Sequence, residues 1–292
     1  MISGQAPNTA TQTDCQQYTD FASSGMTPDG QAIGTGCVFP ANVKTIADQL
    51  VAAGFTWKAY MEDMGNDPAR ETATCGHAAL AAKDPTAHAE APMASLPTGD
   101  QYAAKHDPFV YFHSIIDAPI CQTSVVNLEA LSADLMSVST TPNFTFIAPN
   151  LCNDGHDAPC KDGQPGGLIS ANRFLQTWVP KIQNSAAYQK DGLLIVTFDE
   201  AEHDVSACCN EPTGPNVSAP GRTGPGGGRT GEVLLSKFIK PGTVSDVPYN
   251  HYSQLRTIED IFGLDHLGYA AQAGLAGFGS DVFGGSVAVL GE

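Results

Sequence analysis

Basic residues are scarce in this chain. Only 14 of its 292 residues are Lys or Arg, against 31 Asp or Glu, for a formal net charge of −17. A global deficit of this size argues against nucleic acid or an anionic membrane surface as a partner. No apolar run approaches the ~20 residues that cross a bilayer, so no integral membrane segment is expected. CxxC pairs are missing, which weakens zinc-ribbon and thioredoxin-like readings. A GxSxG elbow and an HExxH helix are missing too, and with them the hydrolases and metalloproteases built on those motifs. Met1 to Gln5 shows neither the basic nor the apolar region of a signal peptide.

What is present suits a packed core. Hydrophobic residues make up 42% of the chain and charged ones 15%. No repeat and no linker divides the sequence, so residues 1–292 read as a single domain. Eight cysteines, 30 Gly and 20 Pro with little Lys read as a chain from an oxidising compartment, secreted or periplasmic, with its thiols in disulfides. Cys152 and Cys160 flank a short polar loop and are expected to close it. For Cys208 and Cys209, a vicinal bridge and bridges to distant partners both stand.

Residues 1–40 read as a loop pinned by Cys15 and Cys37. Val43, Ile46, Ala47, Leu50 and Val51 recur at helical spacing, with Asn42 as cap and Gly54 as stop. Phe55–Glu62 reads as a strand and residues 63–105 as a surface excursion. Phe109–Ile116 reads as a buried strand. A helix is expected around Leu128, Leu131 and Leu135, then a strand over Phe144–Ala148. A helix capped by Ser170 carries Phe174, Leu175, Trp178 and Ile182, with a kink at Pro180. Leu193–Phe198 lacks polar alternation, which predicts a strand buried on both faces. A Gly/Pro-rich loop over 201–231, a strand over Val233–Ile239 and a helix over Ser253–Phe262 complete the order. Strands alternating with helices predict an α/β fold, with a mostly parallel sheet covered on both faces.

In such sheets ligands bind beyond the carboxyl ends of the strands. Asp199 and Glu200 follow LLIVTF. Asn150, Asn153, Asp154, His156 and Asp157 follow FTFIA. His106 and Asp107 precede FVYF. Neighbouring carboxylates repel and a cation relieves this, provided the backbone turns at Asp199–Glu200. A solvated acidic loop start is the alternative. NDGHD offers an imidazole to a metal or a phosphate oxygen, or else is a plain Asx-rich turn. His106 and His251, taken alone, read as structural. GPGGGRTG (224–231) precedes a strand and lacks a P-loop ending, so it reads as a flexible loop near the site.

PNLCNDGHD (149–157), VTFDE (196–200), KHDPFVYF (105–112) and HYSQLRTIEDIFGL (251–264) together resemble the secreted bacterial phosphoesterase family. That family includes acid phosphatases and phosphatidylinositol-3-phosphate phosphatases. It is related to phospholipases C, within the alkaline-phosphatase-like superfamily. The resemblance implies an α/β/α sandwich and hydrolysis of phosphoester bonds, of phosphatase or phospholipase C type, by a metal-assisted mechanism. It implies a small-molecule or lipid phosphoester as substrate. Asp199 and Glu200 are then metal ligands, His156 contacts the phosphoryl group, and His106 and His251 are further catalytic members. Asn150, Asp154 and Asp157 line the substrate pocket. The cofactor is a divalent cation, and oxygen-rich ligation leaves Mg, Ca, Mn and Zn open. The family's acidic-Asn pair does not occur here, and no Ser/Thr-x-Pro-Asn stretch lies near the amino terminus, where the family's nucleophile is expected. Met1–Gln5 resembles the residues immediately after that stretch in family members. The expectation is therefore a chain lacking its first segment, poorly soluble and inactive when expressed alone. The alternative is a catalytically inactive, disulfide-stapled extracellular binding domain of the same fold.

Overall fold

The computed structural model describes residues 1–284. In chain order these form β1 (Gln17–Tyr18), β2 (Ala22–Met26), β3 (Ala32–Thr35), α1 (Ile46–Ala52), β4 (Trp57–Met61), β5 (Ala82–Lys83), α2 (His113–Ile116), α3 (Ile120–Ser124), β6 (Val125–Asn127), α4 (Leu131–Asp134), β7 (Phe144–Ala148), α5 (Gly167–Gln183), α6 (Ala186–Asp191), β8 (Leu193–Thr197), β9 (Glu232–Ser236) and α7 (His251–Phe262).

The centre is a parallel sheet in the order β6-β4-β7. Side chains alternate across it, as strand geometry demands. Trp57, Ala59 and Met61 face one core with Ile46, Leu50, Phe109, Val125 and Leu255, which brings α1 and α7 onto that face. Tyr60 faces the other core with Leu128, Leu131 and Phe174, under α4 and α5. Helices thus cover both faces, as the alternation of elements predicts. A second, antiparallel pair, β8 with β9, stands as its own two-stranded sheet.

Several expectations are corrected. Phe109–Ile116 is buried but is not a strand: Pro108–Tyr111 is a 3-10 turn and His113–Ile116 a short helix. The Asp107 carboxylate accepts from Phe109 N and Pro108 sits in the first turn, so the backbone enters as a helix does. Residues 1–40 are not one loop, because β2 and β3 form an antiparallel hairpin. Residues 63–105 are not a surface excursion. Arg70, Glu71, Thr86, Asp100 and Tyr102 are buried in it, and Arg70 reaches the Asp100 carbonyl at 2.7 Å, so polar side chains replace regular ladders as the internal partners. Thr45, not Asn42, caps α1, through a capping box with Asp48. Ser170 lies inside α5, where its hydroxyl accepts from Gly166 N, and Pro180 lies within the same helix. The Leu128 region splits into a 3-10 turn and the four-residue α4. β8 is half-buried along its whole length rather than buried on both faces.

The sulfurs pair as Cys15–Cys37, Cys75–Cys121, Cys152–Cys160 and Cys208–Cys209, so the expected Cys152–Cys160 bridge is present and the vicinal alternative holds for the last two. This pairing fits an oxidising compartment. Among the described residues no helix is long and apolar enough to cross a membrane.

Candidate active site

The parallel register Met61↔Ala148 makes β4 and β7 end side by side. Their next residues, Glu62–Asp63 and Pro149–Asn150, therefore emerge together. Glu62 N donates to Ala148 O at 3.1 Å, and Asp63 turns the chain through left-handed backbone at φ 68°. Glu62 Oε2 then accepts from Asn150 N at 2.9 Å, and both its oxygens accept from Asn153 Nδ2 at 3.0 and 2.9 Å. Asp63 Oδ2 accepts from Asn150 Nδ2 at 2.7 Å. Asn150 Oδ1 accepts from Cys152 N and Asn153 N, both at 3.0 Å. Asn150 is buried, and its amide is spent on shaping the loop. Burial pushes the Glu62 carboxyl up to about 7, against the pull of the Asn150 and Asn153 hydrogen bonds.

The loop so anchored carries Asp154, His156 and Asp157. Asp154 Oδ1 accepts from His156 N at 2.8 Å, while its Oδ2 stands 3.9 Å from His106 Nε2. Burial lowers the His106 pKa, and the charge of Asp154 opposes this. Burial likewise raises Asp154. His156 is exposed, with Nδ1 3.1 Å from Asp157 Oδ1, and that hydrogen bond raises its pKa.

The backbone bends at Asp199 and Glu200, just past β8, as convergence of their carboxylates requires. Glu200 N donates to Asp199 Oδ1 at 3.1 Å. Burial, then the charge of Asp199, raises the Glu200 pKa. His251 opens α7 and places Nε2 2.7 Å from Asp199 O. A carbonyl only accepts, so Nε2 carries the proton. Burial lowers the His251 pKa and favours this neutral ring. Asn250 fixes the start of α7 by accepting from Tyr252 N and Ser253 N, and donates to Cys209 O at 3.0 Å. The 224–231 stretch lies at the site as expected: a Cβ on Gly227 would stand 3.7 Å from Glu200 Cβ.

The three strand ends form one electrostatic neighbourhood. The charge of Asp199 acts on His106, and those of His156 and Lys105 act on Glu200. His106, Asp154, His156, Asp157, Asp199, Glu200 and His251 belong to it, with Asn150 beneath. Glu62, Asp63 and Lys105 escape the sequence reading. The rule that found Asp199–Glu200 also points to Glu62–Asp63, but the strand drawn to Glu62 absorbed the first of them. His203 is exposed beside Glu202, and His113 bridges Asp20 and Asp117 away from these residues.

Two mutually repelling carboxylates, Asp199 and Glu200, are the donor type a hard divalent cation takes, so the pair fits such an ion in chemistry. Among the described residues the one group of three possible ligand atoms within 4.8 Å is Cys152, Cys160 and Asp162, whose sulfurs are consumed in a disulfide; no third such atom stands that close to the Asp199–Glu200 pair.

Over 232 residues, 78% of the chain, the protein is 28% identical to a phosphate-repressible acid phosphatase of Penicillium chrysogenum, covering 44% of that protein. A probable acid phosphatase of Kluyveromyces lactis is 25% identical over 232 residues, 78% of this chain and 44% of its own. A phosphatidylinositol-3-phosphatase of Mycobacterium tuberculosis is 25% identical over 228 residues, 78% of this chain and 56% of its own. The chain spans about half the length of the curated relatives it matches. The sequence profile of the phosphoesterase family matches residues 7–265, and the chain belongs to that family.

Proposed function

We propose that the protein hydrolyses phosphomonoesters as a metal-assisted phosphatase of an extracytoplasmic compartment. The observation that carries the reading is that carboxylates and imidazoles follow the ends of β4, β7 and β8, with Phe198 past β8 lying against Gly155 in the loop past β7, in a chain of this family. The acid phosphatases among its relatives and its four disulfides agree with it.

Asp199 and Glu200 would hold the divalent cation. When bound, such an ion polarises phosphoryl oxygens and neutralises their charge. His156, protonated more readily because of Asp157, donates a hydrogen bond to a phosphoryl oxygen. Asp154 keeps His156 in place through its backbone and faces His106. His251 is a positioning residue, whose Nε2 proton holds the Asp199 backbone. Asn150 acts from below, shaping the turn that presents Asp154 and His156.

The test is hydrolysis of p-nitrophenyl phosphate, by residues 1–292 and by the chain with any residues its reading frame encodes upstream. Chelation should suppress turnover and a divalent cation restore it. Asp199→Ala should weaken metal binding by at least about tenfold, in the range seen when metal-site partners are lost. An unchanged rate after chelation overturns the metal role. No turnover with any divalent cation leaves the binding-domain reading instead.

A further inference from the structure

Three of the four disulfides are sealed in and one is not. Cys15, Cys37, Cys75, Cys121, Cys152 and Cys160 are at most 6% exposed, whereas Cys208 and Cys209 are half-buried in the 201–231 loop. A bridge between chain neighbours closes no long loop, so loop-closure entropy does not account for it. What it closes is a small covalent ring around the 208–209 peptide, which restricts where the Cys209 carbonyl points.

That carbonyl accepts from Asn250 Nδ2 at 3.0 Å. Asn250 Oδ1 caps α7 by accepting from Tyr252 N and Ser253 N, both at 3.0 Å, and the next residue, His251, reaches Asp199 O at 2.7 Å. Cys209 itself sits in left-handed backbone at φ 63°, a conformation unfavourable for a residue with a Cβ unless its surroundings impose it. A second route starts at Cys208, whose Sγ lies 3.4 Å from Gly228 O. Gly228 N donates to Ser206 O at 3.0 Å, Gly226 N to Val205 O at 3.1 Å and Ala201 N to Gly227 O at 2.8 Å, so this strip runs back to the residue after Glu200. The backbone at both Asp199 and Glu200 is thus tied to one accessible bridge.

We propose that Cys208 and Cys209 are redox-sensitive positioning residues: the closed bridge holds the Asp199–Glu200 backbone in its cation-binding shape, and opening by a dithiol loosens it. One thiolate of the dithiol attacks a bridge sulfur and expels the other as a thiolate, and its second thiol then displaces the first sulfur. The protein gains two electrons and two protons as a pair of thiols, and the reagent leaves as its own disulfide. Cys209 can then leave left-handed backbone, Asn250 loses its acceptor, and the start of α7 no longer holds His251 against Asp199. The cation part rests on the Asp199–Glu200 reading above; the link from the bridge to α7 does not.

Two measurements test it, and neither needs turnover. Brief dithiothreitol treatment, followed by alkylation and peptide mapping, should open Cys208–Cys209 before the buried bridges, because exchange depends on access. The first readout is amide hydrogen exchange by NMR in metal-free protein. Opening should speed exchange at Ala201, Tyr252 and Ser253 by about fivefold or more, the size of one lost hydrogen bond, with the unfolding midpoint nearly unchanged. Cys208→Ser with Cys209→Ser should show the fast exchange without reductant and no further response to it, which excludes an effect through the other three bridges. The second readout is calorimetric titration with Ca²⁺ and with Mn²⁺, cations that favour oxygen over thiolate. Opening should weaken binding by about tenfold. Asn250→Asp keeps the oxygen that caps α7 but loses the donor to Cys209, so its bridged and opened forms should bind the cation equally. Unchanged exchange on opening, or equal cation affinity of the bridged and opened protein, overturns the proposal. If the bridged protein binds neither cation while opening still speeds exchange, the metal reading fails and the coupling of the bridge to α7 stands.

Discussion

β4 and β8 are both five-residue strands, and by composition β8 should be the more deeply buried. β8 reads LLIVT, without a charge, while β4 reads WKAYM and carries Lys58. The reverse holds. Trp57, Ala59, Tyr60 and Met61 are all at most 3% exposed, whereas every residue of β8 is half-buried. β4 has a strand on each side and a helical layer on each face; β8 has β9 alone. An apolar run reports that a segment can be a strand. Its depth is set by how many neighbours arrive, and those come from distant parts of the chain. Lys58 is tolerated in the central strand because Asp134 meets its ammonium at 2.7 Å while also accepting from Tyr60 at 2.6 Å.

The sharpest way to break this comparison is to truncate one apolar side chain in each strand. Trp57→Ala removes a ring stacked on Phe109 at 4.7 Å between centroids and should cost roughly 3–5 kcal/mol. Ile195→Ala in β8 should cost about 1–2 kcal/mol, because less area leaves water there. Denaturant unfolding of both variants decides it. Equal losses would mean that β8 is as enclosed in solution as β4.

A slightly smaller effect is expected from the cross-link nearest the parallel sheet. Cys75 donates its backbone N–H to Val125 at 2.9 Å, and its disulfide with Cys121 spans a separation of 46 residues. By loop-closure entropy, Cys75→Ala with Cys121→Ala should cost up to about 4 kcal/mol. The Cys208–Cys209 bridge closes no long loop, so its removal by the same double substitution should change global stability little. A comparable loss at both would show that the 201–231 loop is part of the folding unit.

Individual residues explain why some elements were legible in the sequence and others were not. α1, β4, β7, β8, β9 and α7 were legible because each carries one strong period or apolar run. β6 is only three residues long and 63–105 has almost no regular structure, so neither leaves a periodic trace. FVYFHSII was legible as buried but misread as a strand, because the Asp107-Pro108 start outweighs the β propensity of its aromatics. At the site, Asp199–Glu200 and NDGHD stood out as dense polar text after strands. Glu62 did not, since its partners Asn150 and Asn153 lie 88 and 91 residues away.

pH separates the two regions on a finer scale. Asp107, fully buried against the parallel-sheet core, has its carboxyl pushed up to about 7 by desolvation, and Glu62 reaches about 7 for the same reason. Between the usual carboxyl range and pH 7 the folded state keeps these protons and the unfolded state has lost them. Their contribution is therefore complete only below the usual carboxyl range, is lost progressively as pH rises towards 7, and is gone above it. Each such group should cost about 1.4 kcal/mol per pH unit within that window. Melting temperatures should be higher at pH 5 than at pH 8. Asp107→Asn, which keeps the oxygen that accepts from Phe109 N, should flatten the slope. A steeper fall, or none in either protein, contradicts the assignment.

The smallest effect should come from apolar side chains near the open end of β8. Leu168 is 69%, Ile169 58% and Phe198 43% exposed, on the first turn of α5 and just past β8. A Cβ on Gly155 would stand 3.0 Å from the Phe198 ring and 3.8 Å from Leu168, so the two flank the same loop. A side chain already in water has little left to lose, and surface substitutions of this kind usually fall within about 0.5 kcal/mol. Leu168→Ser and Ile169→Ser should therefore leave unfolding midpoints nearly unchanged while lowering self-association in light scattering, because grouped exposed apolar residues favour contact between molecules. A loss above about 1 kcal/mol would show these residues to be covered in the folded protein. The β8 side would then be a second buried layer, and the contrast with β4 would vanish.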